Sequence, residues 1–188
     1  GRYRRMVQLV RNGYIGQLTE VVSMSATGTP AQVNEGATSQ LSGSAMMDDA
    51  TVTVLSGSEM TWGAYAWPIH DIDEASGVAT TEWVYANTPG TINCSYLGVA
   101  GNGSLLVVDS LPDNYGSYAG DGLPDSWQNQ FFGLNNPNAG PGADVTGTGQ
   151  NNLFKYTAGL DPTNPASIFI LKIASVAGQP NQKSLAFM

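Results

Sequence analysis

A single cysteine, a single histidine and a charged fraction of only 12% over 188 residues each remove a class of function. With Cys94 alone no disulfide framework can close within the chain, and its place in an apolar-patterned run suits a small hydrophobe better than a nucleophile. With His70 alone, within Pro68-Ile69-His70-Asp71, one chain cannot supply a two- or three-histidine metal site. Seven basic residues against 15 acids leave a net charge of −8, a poor surface for nucleic acid, whose phosphates need Lys and Arg. No apolar run approaches the roughly 18 residues of a membrane helix, so no membrane span is expected. There is no Gly-x-Ser-x-Gly elbow, phosphate loop or dinucleotide fingerprint. Paired carboxylates occur only in turns, Asp48-Asp49 and Asp73-Glu74, where adjacency points them apart. His70 beside Asp71 and Asp73 reads as an exposed strand end, so the expectation is a protein that is not an enzyme. The chain begins at Gly1 with no visible signal peptide, and the simplest expectation is a processed segment of an exported precursor.

What the sequence does have is β pattern. From Val33 to Asp109, short strand-like runs are separated by turn signals every 8–12 residues or so, the pattern of an antiparallel sandwich. Ala37 to Ala45 alternates small apolar residues and Leu41 with polar ones, and Val52, Val54 and Leu55 follow the turn pair Asp48-Asp49. Glu59-Met60-Thr61-Trp62 starts another strand, with Trp62 as the large central core side chain. Ile69 to Ile72 and Gly77 to Thr80 flank a polar connection whose Gly77 can take positive φ. Gly90 to Leu97 and Ser104 to Val108 bracket Ala100-Gly101-Asn102-Gly103, and Asn-Gly between apolar runs is a hairpin signal.

Val33-Asn34-Glu35-Gly36 before a Gln-Leu strand, Met60-Thr61-Trp62, Ile72 to Thr80, and a closing Tyr96-Leu97-Gly98-Val99 hairpin together resemble the bacterial immunoglobulin-like family, group 2. The resemblance implies a sandwich used as a spacer, stalk or adhesive module of secreted and surface proteins, without catalytic residues, and a structural Trp62.

Four segments follow from this reading: a basic extended segment at 1–20, the immunoglobulin-like sandwich at 21–110, a linker with two short helices at 111–167, and a β-hairpin at 168–188. In the first, Arg2, Arg4, Arg5 and Arg11 with Glu20 make +3, leaving −11 for the remainder. Tyr3, Val7 and Leu9 fall on one side of an extended Arg2–Val10, with a helix as the competing reading and a return strand near Tyr14 to Leu18. Pro124, Asp125, the pair Trp127 and Phe131 four apart, and Gly133 mark the first helix; Asn151 to Ala158, stopping at Gly159, marks the second. Neither is long enough to stand alone, so their aromatic faces need a partner. An Ile168 to Ile173 apolar run, Gly178 to Asn181 and Ser184 to Phe187 read as the hairpin, which must cover another surface.

Asp144 to Lys155 has the length and the sixth-position glycine of a calcium loop, whose oxygen ligands come from positions 1, 3, 5, 7, 9 and 12. Aligned likewise, Ser117 to Gln128 puts Asp121, Gly122, Asp125 and Gln128 at positions five, six, nine and twelve. With Asp161-Pro162-Thr163-Asn164, these loops resemble the thrombospondin type 3-like and dockerin-like calcium repeats of bacterial secreted proteins. Both depart from that pattern: Lys155 stands in the place of the bidentate acid, and Ser117 and Ala119 replace acids of the first loop. The expectation is loops that hold without metal, with Lys155 beside Asp144 substituting for the ion; Asp121, Asp125 and Asp144 are the weak calcium candidates, and no other cofactor is implied.

Two functions follow as expectations. The first is a non-enzymatic exported structural protein, a subunit of an extracellular bacterial filament or surface array whose copies join through terminal strands, with Tyr3, Arg4, Arg5, Val7, Leu9, Ile168 and Ile170 at the contact. The second is a cell-surface adhesive or carbohydrate-binding module. For it, Tyr65 and Trp67, two apart on one strand face, and Trp83 on a neighbouring strand would form a flat row for a glycan.

Overall fold

The computed structural model describes residues 20–187, and the basic N-terminal segment with Tyr3, Arg4, Arg5, Val7 and Leu9 lies outside them. The chain divides after Val108 into two compact units.

The first is mainly β, a β-sandwich of eight strands: β1 (Val21–Asn34), β2 (Thr38–Met47), β3 (Val52–Ser56), β4 (Thr61–Trp62), β5 (Ile69–Asp73), β6 (Val78–Thr81), β7 (Thr88–Tyr96) and β8 (Val99–Val108). The strand path runs β4-β7-β8-β1-β2-β6-β5, with β3 beside β2. All pairs are antiparallel except β1 with β8. β1 joins the two halves of the path: Val21 to Thr29 ladder onto β2, while 24–27 and, after a register break, Gln32 to Asn34 run alongside β8. Pro30 sits in that break, where a residue with no backbone N–H costs no ladder bond.

Alternation in the strands does what the sequence pattern requires. Leu41 and Ala45 of β2, Ile72 of β5, Ala79 of β6, Ile92 and Cys94 of β7 and Leu105 of β8 all turn into one apolar cluster. Trp62 lies in that cluster, and its indole Nε1–H is donated to the Gly57 carbonyl at 3.1 Å, so the one polar atom of the ring is satisfied. Burial pushes the Cys94 thiol pKa up, which favours its protonated form.

Two expectations about this unit change. The β7–β8 turn is Leu97-Gly98, both at positive φ, with Tyr96 opposite Val99; Ala100 to Gly103 lie inside β8. The Asn102-Gly103 signal misplaces the turn because these glycines serve a close approach. A Cβ on Gly103 would collide with the Ala26 carbonyl oxygen, and one on Gly101 with Met24, across the β1–β8 seam. Tyr65 and Trp67 are not on a strand either. β4 ends at Trp62 and the backbone from 63 to 68 is irregular, preceded by a 3₁₀ turn at Gly57–Glu59 whose Ser56 amide is capped by Glu59 at 2.8 Å.

The second unit holds helices α1 (Asp125–Phe132) and α2 (Asn152–Thr157) and a hairpin of β9 (Leu171–Val176) with β10 (Gln179–Phe187). Gly133, at φ 76°, ends α1, and Asn151 caps α2 by accepting the Phe154 N–H at 2.9 Å. The two helices meet through their aromatic faces: Trp127 lies 5.2 Å from Phe131 and 5.5 Å, edge to face, from Tyr156. The hairpin turns at Ala177-Gly178, at the start of the Gly178 to Asn181 signal, and pairs Ile173 with Leu185 and Leu171 with Phe187. Ile168 and Ile170 precede β9 and are half-buried in the lead-in, so they are not the strand residues the assembly reading needs.

Candidate functional sites

Three places carry chemistry: an aromatic patch, the calcium-type loops and the open strand edges. The patch forms where the irregular 63–68 segment meets the end of β6. Tyr65, Trp67 and Trp83 are 40%, 42% and 50% exposed. Trp67 stacks on Tyr85 at 5.7 Å with planes 13° apart, and its Nε1–H is donated to the Trp83 carbonyl at 3.1 Å. Trp83 lies over Gly36, where any side chain would press on its ring. Beneath, the buried Glu35 carboxylate accepts the N–H of fully buried Val84 at 3.0 Å and so fixes the backbone that presents Trp83 and Tyr85. Polar groups rim the rings. Tyr65 donates its hydroxyl to Asp71 at 2.7 Å, an acceptor bond that raises the phenol pKa, and His70 Nδ1 meets Glu82 at 2.5 Å. The three predicted aromatics are therefore presented by loops, and the ring that Trp67 stacks on, Tyr85, was missed. Its signal was present: Trp83 and Tyr85 repeat the i, i+2 spacing of Tyr65 and Trp67.

In the first loop the organising acid is Asp113, which sequence reading leaves in the linker. Its two oxygens accept the N–H groups of Gly120 (2.8 Å), Asp121 (3.2 Å) and Gly122 (2.8 Å). Asp121 accepts from Leu123 N–H at 2.9 Å and from the Gln128 amide at 2.8 Å. Asp125, 1% exposed, accepts the Asn114 and Tyr115 N–H groups on Oδ2, while its Oδ1 and Gln128 Oε1 have no hydrogen-bond partner. Burial raises the Asp125 pKa, offset in part by the two amides. Tyr118 ties the loop to the helix end, donating to the Gly133 carbonyl at 2.6 Å.

In the second loop Asp144 gathers Gly149 N–H at 2.6 Å, Thr148 N–H at 3.2 Å and the Thr146 hydroxyl at 3.2 Å. Burial pushes its pKa up, but these bonds outweigh it and the carboxyl sits below the ordinary range. Lys155, 1% exposed, turns its ammonium into this loop and donates to Thr146 Oγ1 at 2.8 Å. The expected direct pair with Asp144 is thus relayed through a hydroxyl, because Thr146 stands between the two charges. Asp161 caps the following turn, accepting the Thr163 hydroxyl and N–H, which hold its pKa down. Among the described residues no three His, Cys, Asp or Glu side chains converge as metal ligands. Of the weak calcium candidates, Asp125 and Asp144 accept backbone amides, and Asp121 accepts the Leu123 N–H and the Gln128 side-chain amide.

The edges differ in protection. β4 is two residues long, and β5 carries His70, Asp71 and Asp73. β3, paired with β2 alone, reads Val-Thr-Val-Leu-Ser, with Val52 62% and Val54 75% exposed. No helix among the described residues is long and apolar enough to cross a membrane.

No protein-family model matches this chain, and no curated protein matches it.

Proposed function

We propose that this is a non-enzymatic structural protein of a bacterial cell exterior: an immunoglobulin-like spacer of the group 2 kind, followed by a calcium-repeat-like segment whose loops are held by backbone amides. Its copies join through β-strand contacts into a filament or surface array. The observation that carries this reading is the exposed β3 edge, which is uncharged and paired with β2 alone. Sedimentation velocity on the purified chain, from micromolar to near-millimolar concentration, tests it. Concentration-dependent association is expected, and a monomer throughout that range rules it out.

A second reading, an adhesive module that binds surface glycan, is favoured by one observation, the exposed rings of Tyr65, Trp67 and Trp83 beside the carboxylates of Asp71 and Glu82. A glycan panel with wild type and Trp83→Ala decides it: a hit that Trp83→Ala abolishes supports the reading, and an empty panel removes it.

A further inference from the structure

The hairpin and β3 are both uncharged or cationic β elements looking for partners, and they carry opposite surroundings. Residues 20–108 hold nine acids and no Lys or Arg, so the β3 edge stands in an entirely acidic unit, with Asp48 and Asp49 just before it and Glu59 just after. Residues 162–187 hold Lys172 and Lys183 and no acid, so the hairpin is entirely cationic. Each element also has one edge with neither a proline nor a register break, and the one charge on β9 is Lys172. On the hairpin, β10 carries Pro180, which has no N–H to give, and a register break between Gln179 and Lys183; both are devices that blunt an edge. β9 has neither: Leu-Lys-Ile-Ala-Ser-Val, six residues, pairs regularly from Leu171 to Ser175. β3, five residues, matches it in length. Their side chains match as well. Leu171, Ile173, Leu185 and Phe187 share one hairpin face and are 47–66% exposed, and Val52 and Val54 share one face of β3. A two-stranded hairpin is marginal by itself and gains most from a third strand.

Resting on the assembly reading above, we propose that β9 of one copy adds to the β3 edge of a second copy. The hairpin thereby extends the acceptor's sheet beyond β3, with Lys172 drawn to the acids that flank β3. Donor and acceptor are different surfaces of the chain, so the contact is heterologous: each copy gives a hairpin to one neighbour and receives one from another, and growth is open-ended unless it closes as a ring. Main-chain bonds supply the attraction, and the opposite charges set the partner and make assembly salt-sensitive.

The test uses the full chain and two exposed-site variants. Val54→Lys puts a cation on the acceptor edge and leaves the donor intact; Ile173→Asp puts an acid on the donor strand and leaves the acceptor intact. Each alone is expected to weaken self-association by roughly tenfold or more, since Val54→Lys sets a cation against Lys172 and Ile173→Asp sets an acid against Asp48, Asp49 and Glu59. An equimolar mixture of the two is expected to form a complex that stops at two chains, because only one acceptor and one donor remain. Circular dichroism checks that both variants are folded, and Val52→Lys replaces Val54→Lys if it is not. If wild type associates but the variants associate equally well, or their mixture does not pair, the β9–β3 contact is wrong while assembly by another surface stands. If wild type is monomeric at all concentrations, both the contact and the assembly reading fall.

Discussion

The two units bury different chemistry. In the sandwich the largest fully buried side chains are Leu41, Leu55, Ile92, Leu105, Val84 and Val107; in the second unit they are Lys155, Gln128, Asn152, Asp125 and one leucine, Leu123. The first interior is held by apolar area and strand ladders, in which any side chain of the right volume serves. The second is held by polar side chains that satisfy named backbone atoms. Gln128 donates to the Ala139 carbonyl as well as to Asp121, and Asn152 donates to the carbonyls of Asn138 and Gly140. Such an interior tolerates little: removing one acceptor leaves buried donors unpaired, whatever volume replaces it.

Core truncation in the sandwich sets the upper end of the contrast. Trp62→Ala removes the largest side chain of the cluster and leaves a cavity, and should lower stability by about 3–5 kcal/mol in urea unfolding. A loss under 1 kcal/mol would mean that the ring is not part of the core.

Asp113→Ala is the matching cut in the second unit. It removes the side-chain acceptor of three loop amides at once, of which Gly120 and Asp121 keep backbone acceptors, and should cost roughly 1.5–3 kcal/mol, with Asp113→Asn, which keeps one acceptor oxygen, falling between. If the alanine and asparagine variants melt together, the carboxylate is not what organises the loop.

Acid titration separates the carboxylates by sign. Asp144 and Asp161 sit below their unfolded value of about 3.9, so the stability they contribute is complete above that pH and is lost as pH falls through their lower folded values. Asp125 is raised by burial, so its ionisation opposes folding at neutral pH, and that penalty is relieved as pH falls through its raised value. Asp144→Asn should therefore flatten the loss of melting temperature below about pH 4, and Asp125→Asn should remove the gain that the wild type shows as pH falls through the raised value of Asp125. The same profile for wild type and both variants would refute the assignment.

Calcium is a finer probe of the second unit. With amides on Asp113 and Asp144 and an ammonium in the second loop, millimolar calcium should leave the melting temperature unchanged. A calcium-dependent rise of several degrees would show that the loops exchange their amide bonds for an ion.

The smallest effect belongs to the sandwich surface. Val54→Lys, at a site 75% exposed, should change the stability of the isolated chain by less than about 0.5 kcal/mol. A larger loss would mean that this edge is already covered.

Much of this was legible in the residues because it depends on neighbours in sequence. Alternation around Leu41 and Ile92 places core against solvent, Gly77 and Gly133 mark reversals, and Trp127 with Phe131 makes one helix face. Other features depend on what lies opposite. Gly101 and Gly103 looked like a turn and are a seam, because only the fold brings β1 against β8. Asp113 looked like linker and organises a loop seven to nine residues on, and Tyr85 becomes part of the aromatic patch only when the 63–68 segment folds over it. The sequence by itself determined a β-rich chain, two short helices, a terminal hairpin, and a charge distribution in which residues 20–108 hold acids and no Lys or Arg. Only the tertiary structure decided which strand edge is left bare, which carboxylates turn to amides, and that a hydroxyl stands between Lys155 and Asp144, since each is settled by a contact between residues that no local period relates.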